Sequence, residues 1–127
     1  MATITISLHI NAPLPVVFDL CRSIDMHMVS TEGTGEKAID GVKSGLIEAG
    51  QTVTWQARHL LRTRKFKTII TAMEPYRYFR DEMAEGDFRS FYHEHYFEEN
   101  DGFVIMKDVL HLEAPYGLVG RFVMRIF

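Results

Sequence analysis

The chain has 127 residues, 46% of them hydrophobic and 24% charged, which is one domain with one core and argues against intrinsic disorder. With 14 basic against 17 acidic side chains and a net charge of −3, it lacks the basic excess of a general nucleic-acid binder, so no nucleic-acid partner is expected. The one cysteine, Cys21, excludes a disulfide framework and any multi-cysteine metal site, no apolar run is long enough for a transmembrane segment, and the alternating first residues do not read as a signal peptide, so a cytoplasmic location is expected.

Thr3 to Ile10 alternates with period two. Ile4, Ile6, Leu8 and Ile10 lie on one face and Thr3, Thr5, Ser7 and His9 on the other, the pattern of a half-buried strand. Asn11 ends this strand and offers a helix N-cap before Pro13, after which Val16, Val17 and Leu20 recur at helical spacing to Cys21. A second short helix is expected from Ser23, with Met26, Met28 and Val29 as its apolar contacts. From about Thr34 the pattern becomes strands. A short one covers Glu36 to Asp40, and Gly41 and Gly45 punctuate the turn after it. A longer one covers Gln51 to Leu60, with Val53, Trp55 and Ala57 on one face. In Lys65 to Met73, Phe66, Thr68, Ile70 and Ala72 alternate with Lys65, Lys67, Ile69 and Thr71, and Pro75 ends the run. Arg77 to Met83 follows, then the hairpin signal Gly86-Asp87 and the strand Phe88 to Glu98. The turn marker Asn100-Asp101-Gly102 leads into Phe103 to Glu113, closed by Pro115.

Over Tyr116 to Phe127 the period changes. Leu118, Val119, Phe122, Val123, Ile126 and Phe127 form the apolar stripe of a helix that runs to the last residue with no capping signal, so an incomplete C-terminal helix is expected. The order is therefore strand, two short helices, about six sequential antiparallel strands and a terminal helix, an α+β class. A curved antiparallel sheet needs one face covered, and the terminal helix is the long element left to cover it. A sheet wrapped around one helix leaves a cavity. Residues 1–127 are read as a single ligand-binding domain.

The nine Phe, five Tyr and one Trp are unevenly placed, five of them between Phe88 and Phe97. On a strand, Phe91, His93, His95 and Phe97 share one face, and Tyr92, Glu94, Tyr96 and Glu98 the other. The face with two carboxylates belongs outside, which puts both histidines on an inner, aromatic face. There they either contact a ligand or are core histidines satisfied by their neighbours. The His-x-His spacing would suit a metal, but a third convergent ligand is not identifiable, so no metal site is assigned. Asp108 breaks the apolar face of Val104, Met106, Leu110 and Leu112, so its carboxylate must be paired or carry a shifted pKa, and the compensating group is expected to be His93 or His95 across the hairpin or a Tyr hydroxyl. That pair is either ligand-facing acid–base chemistry or a buried pair that fixes strand register. Trp55, near Phe66, Phe79, Phe91 and Phe97, either lines a pocket for a flat or greasy ligand or packs the core. His59 lies four residues beyond it. Asp81, beside Phe79 and Met83, poses the same question as Asp108. Three other features are read as structural: Gly33 to Ala38 as a loop, the basic cluster Arg58, Arg62, Arg64, Lys65 and Lys67 as a solvated hairpin edge, and Cys21 as inert packing.

The succession Ser30, Glu36-Lys-Ala-Ile39, Gly41, Gly45-Leu-Ile47, Gly50, Val53-Thr-Trp55, His59, Glu74-Pro75, Phe79-Arg-Asp-Glu-Met83, Gly86, Phe88, Phe91, His93-Glu-His95, Phe97, Asp108 and Pro115-Tyr-Gly117 resembles bacterial proteins of the SRPBCC superfamily, the START-like and Bet v 1-like "polyketide cyclase/dehydrase and lipid transport" proteins. The resemblance covers nearly the whole chain. It implies a helix-grip fold: a seven-stranded antiparallel sheet gripping a C-terminal helix, with two short helices after strand one. It also implies a hydrophobic or aromatic ligand or a lipid in the cavity. The leading reading is a binding protein whose ligand contacts are Trp55, His59, Phe66, Phe79, Asp81, Phe91, His93, His95, Phe97, Met106 and Asp108. The alternatives are a cyclase/aromatase-like or hydrolase-like enzyme using a His–Asp pair, and an interaction module through the C-terminal segment, including a homodimer covering Val119, Val123 and Phe127. No catalytic residue is assigned, and no cofactor is expected.

Overall fold

The computed structural model describes residues 2–59 and 62–113, apart from the side chains of Thr34 and His59. Strand β1 (Ala2–Ile10) is followed by helices α1 (Leu14–Cys21) and α2 (Ile24–Ser30), a 3-10 turn (Glu32–Thr34) and the strands β2 (Lys37–Gly41), β3 (Thr52–His59), β4 (Arg62–Glu74), β5 (Tyr78–Glu85), β6 (Ser90–Asn100) and β7 (Phe103–Glu113). The seven strands form one curved antiparallel sheet in the order β1-β7-β6-β5-β4-β3-β2. Strands β2 to β7 are a meander, because each short connection returns the chain beside the strand it has just left. Strand β1 closes the far edge by pairing with β7. Among the described residues no helix is long and apolar enough to cross a membrane. The helix expected over Tyr116 to Phe127 lies outside the described residues.

Helix α1 starts without the Asn11 cap. Pro13, at φ −63°, already has the backbone angle of a helix entry, and prolines in the first turn lack an N–H that would need capping. Asn11 Oδ1 sits instead 3.1 Å from His9 Nε2. The helix buries Val17 and Phe18 and leaves Val16 and Leu20 about half exposed, so Phe18 is the anchor that helical spacing did not single out. Helix α2 is capped by Ser23, whose Oγ accepts the Met26 N–H at 3.1 Å. It buries Ile24, while Met26 and Val29 are exposed and Met28 packs partly against the core. A seven-residue helix offers one narrow stripe, and the bridge from Ser23 to Leu46 turns that stripe at Ile24 inward.

Alternation fixes the sheet faces except where the pairing register slips, between Ala38 and Asp40 on β2 and at two places in the β4–β5 pair. The β4–β5 register slips between Ile70 and Ala72, so Met73, not Ala72, pairs with Phe79 and packs on the core. A bulge adds one residue and reverses the side-chain phase beyond it. The core lies where α1 crosses the inner face. The Phe18 ring packs edge-on to Phe97 at 5.1 Å and to Phe79 at 5.8 Å, with Val104 fully buried beside them. On β1, Ile4, Ile6 and Leu8 share the inner face with Leu110, Asp108 and Met106 and remain about half exposed.

Candidate functional site

Residues on adjacent antiparallel strands that face each other in register share a face. The two-residue turn at Asp101-Gly102 pairs Asn100 with Phe103, and by that count His95 stands opposite Asp108 and Phe97 opposite Met106. On the other side of β6, His95 faces Phe79 and His93 faces Asp81. Two histidines and two aspartates are thereby brought together on the inner face.

The His95 ring lies between Phe79, stacked at 4.1 Å, and His93, stacked at 3.9 Å. Its Nε2 is 2.9 Å from Asp81 Oδ2 and its Nδ1 is 3.2 Å from Asp108 Oδ1. A protonated ring donates from both nitrogens and satisfies both carboxylates at once. Burial opposes a charge on His95, but the bonds to Asp108 and Asp81 and their negative charges outweigh it, and the pKa is pushed up to about 9. Burial likewise favours the neutral acid at Asp108, yet the neighbouring His93 and His95 hold its carboxyl well below the usual carboxylate range. His93 Nε2 lies 3.8 Å from Asp108 Oδ2, an ion-pair distance beyond hydrogen-bonding reach, and is buried with no hydrogen-bond partner among the described residues.

Beside this cluster a pocket of about 330 Å³ opens between α2, the 3-10 turn region and strands β3 to β6. Trp55, Val53, Ala57, Phe66, Ile70, Phe79 and Phe91 form its apolar wall, and Asp81, His93 and His95 its polar end. The Trp55 ring packs against His27, tilted by 30° with centroids 4.1 Å apart, and His27 Nε2 is 3.3 Å from Glu36 Oε1. Phe66 meets Phe91 edge-on at 5.0 Å. At the partly exposed rim, Arg64 Nε lies 3.5 Å from Asp87 Oδ2.

Seven residues singled out from the sequence line this pocket: Trp55, Phe66, Phe79, Asp81, Phe91, His93 and His95. Asp108 sits behind His95, its Oδ1 3.2 Å from His95 Nδ1, and is not among the pocket-lining residues. Phe97 and Met106 are in the packed core, because α1 covers that part of the face. The side chain of His59 lies outside the described residues, and its backbone pairs with Arg62. The sequence reading missed Arg64, His27, Glu36, Asp87 and Cys21 on the pocket wall. Arg58, Arg62 and Lys65 are exposed, as a solvated hairpin edge requires, but Arg64 pairs with Ala57 and so faces inward. Counting back two from Phe66 would have found it. Cys21 Sγ sits 3.1 Å from Met106 Sδ. Burial, followed by the Asp108 charge, pushes its thiol up to about 11, so it stays protonated at neutral pH and is not an activated nucleophile.

The opposite face of β6 carries a separate network. Glu94 Oε2 accepts from the Tyr78 and Tyr96 hydroxyls at 2.8 and 2.9 Å, and Oε1 lies 3.1 Å from His111 Nε2. Burial, then the bond to Glu94, pushes the Tyr78 hydroxyl up to about 12.

No family model matches the sequence. No curated protein matches it. Solved structures do. TTHA0849 from Thermus thermophilus superposes with a TM-score of 0.74 at 13% identity, over 98% of this chain and 82% of that one. Ginseng major latex-like protein 151 from Panax ginseng superposes at 0.67 with 13% identity, over 98% and 89%. Ara h 8.0201 superposes at 0.68 with 13% identity, over 98% and 87%. At such identities the likeness is one of fold. What is shared is a seven-stranded antiparallel sheet with two short helices after its first strand, as the resemblance in the sequence implied.

Proposed function

We propose that this protein binds a small, flat, largely apolar ligand between the sheet and α2. The observation that carries the reading is the pocket itself: aromatic walls from four strands converge on one polar end. A volume of about 330 Å³ is at the low end of the roughly 300–1,000 Å³ of small-molecule sites, which suits a fused ring system better than a long-chain lipid. Trp55 and the Phe66–Phe91 pair supply stacking surfaces, and the polar end orients any oxygen the ligand carries. A cyclase-like or hydrolase-like enzyme is the alternative. It is disfavoured because both nitrogens of His95 are engaged and the thiol of Cys21 is protonated.

Trp55 is the single tryptophan, so its fluorescence reports the pocket directly. Titration with 2-naphthol should quench it saturably, more strongly than oleate does. Ala57→Leu, which fills the pocket between Trp55 and the rim, should weaken 2-naphthol binding about tenfold, a change on the order of 1.4 kcal/mol, without lowering the melting temperature. Absence of saturable quenching by aromatic probes and by oleate alike would remove the reading.

A further inference from the structure

The polar end of the pocket has the anatomy of a coordination site. His93 and His95, two apart on β6, point to the same face with stacked rings, and Asp81 is set opposite His93 by the β5–β6 register. The third convergent ligand that the sequence alone did not identify is thus brought in from the neighbouring strand. The donor atoms of Asp81, His93 and His95 all lie within 4.8 Å of one another, and Asp81 Oδ2 is 2.9 Å from His95 Nε2. Donors about 2.0–2.1 Å from a tetrahedral zinc ion stand roughly 3.3 Å apart, so small side-chain rotations close this set around an ion.

Two further details fit. His95 Nδ1 is 3.2 Å from Asp108 Oδ1, the outer-shell carboxylate arrangement that fixes a ligating imidazole with Nε2 toward the metal. His93 Nε2 is buried and has no hydrogen-bond partner within reach among the described residues, Asp108 Oδ2 standing off at 3.8 Å, although a buried ring nitrogen ordinarily finds one. The geometry points to a divalent transition-metal site in which Asp81 Oδ2, His93 Nε2 and His95 Nε2 are the ligands, Asp108 is the positioning residue, and a fourth position opens on the aromatic pocket. Two imidazoles and one carboxylate suit zinc, cobalt or iron over calcium or magnesium, which take oxygen donors. The site does not depend on any organic ligand, so its test is separate from that of the pocket.

The full chain, treated with EDTA and dialysed, is titrated with Co²⁺. The expected result is an intense visible d–d band of low-coordinate cobalt that saturates at one equivalent and is displaced by Zn²⁺. His93→Ala and Asp81→Asn should abolish the band with the far-UV circular dichroism unchanged. Asp108→Asn should keep the band but weaken binding about 10–100-fold. Only the weak spectrum of hydrated cobalt, or a band that survives both ligand substitutions, overturns the assignment. Should either variant fail to fold, the ring nitrogen NMR shifts of the wild-type protein decide. Nε2 of both His93 and His95 must move on adding one equivalent of Zn²⁺, and a stationary His93 signal refutes the site.

Discussion

Raising the pH from 6.5 to 9 should loosen this fold through His95. Its ordinary pKa is 6.5 and its folded value is about 9, because Asp81 and Asp108 hold the imidazolium against the opposing effect of burial. A group whose pKa is raised by folding contributes stability that is complete below its unfolded value. That contribution is lost as the pH climbs through the folded one. At about 1.36 kcal/mol per pH unit the difference is worth about 3 kcal/mol, a large share of the roughly 5–15 kcal/mol that holds an ordinary domain together. At the acid end the sign reverses. The depressed Asp108 contributes above the usual carboxylate range and loses that contribution as the pH falls towards its folded value. The cluster is therefore at full strength between roughly pH 4 and 6.5. Urea unfolding in EDTA, followed by Trp55 fluorescence, reads the effect. With a slope of about 1–3 kcal/mol per molar, the midpoint should drop on the order of 1–2 M between pH 6.5 and 9. In His95→Gln, which cannot titrate, that part of the drop should vanish. Cys21, raised from 9.0 to about 11, begins to lose its contribution only at the upper edge of this window. Equal midpoints at the two pH values, or the same drop in His95→Gln, would refute the reasoning.

Two glycines separate backbone conformation from crowding. Gly41 (φ +75°) and Gly102 (φ +85°) both occupy the left-handed region, but a Cβ at Gly41 would collide with the Thr52 carbonyl, while at Gly102 it would meet open space. Gly102→Ala should cost about 1–2 kcal/mol in chemical denaturation and Gly41→Ala distinctly more, and equal costs would contradict the β2–β3 geometry. On the convex face, Tyr78 should ionise near pH 12 in an ultraviolet titration. Glu94→Gln should bring it part of the way back towards 10, leaving the share due to burial.

Much of this arrangement could be read along the chain. Alternation put His93, His95, Phe91 and Phe97 on one face, and the turn at Asp101-Gly102 set the β6–β7 register that carries Asp108 to His95. Both are local: side chains alternate wherever a strand is regular, and a two-residue turn leaves the register little freedom. The same locality explains the failures. The bulge beside Thr71, which exchanges Ala72 for Met73 at the core, belongs to a pair of strands rather than to either one. Asp81 reaches His95 across β5 and β6, whose connection through Gly86 to Arg89 is no tight turn, so its register is set by how the strands pack. His27 reaches Trp55, and Glu36 reaches His27, only because α2 folds back over the sheet. The sequence by itself determined which face of β6 turns inward and that Asp108 lies across the hairpin from its two histidines; the structure selected His95. Tertiary structure decided that Asp81 completes the cluster. It also decided that a pocket remains where α1 does not fill the face, because these depend on packing between segments distant in the chain, which no local period encodes.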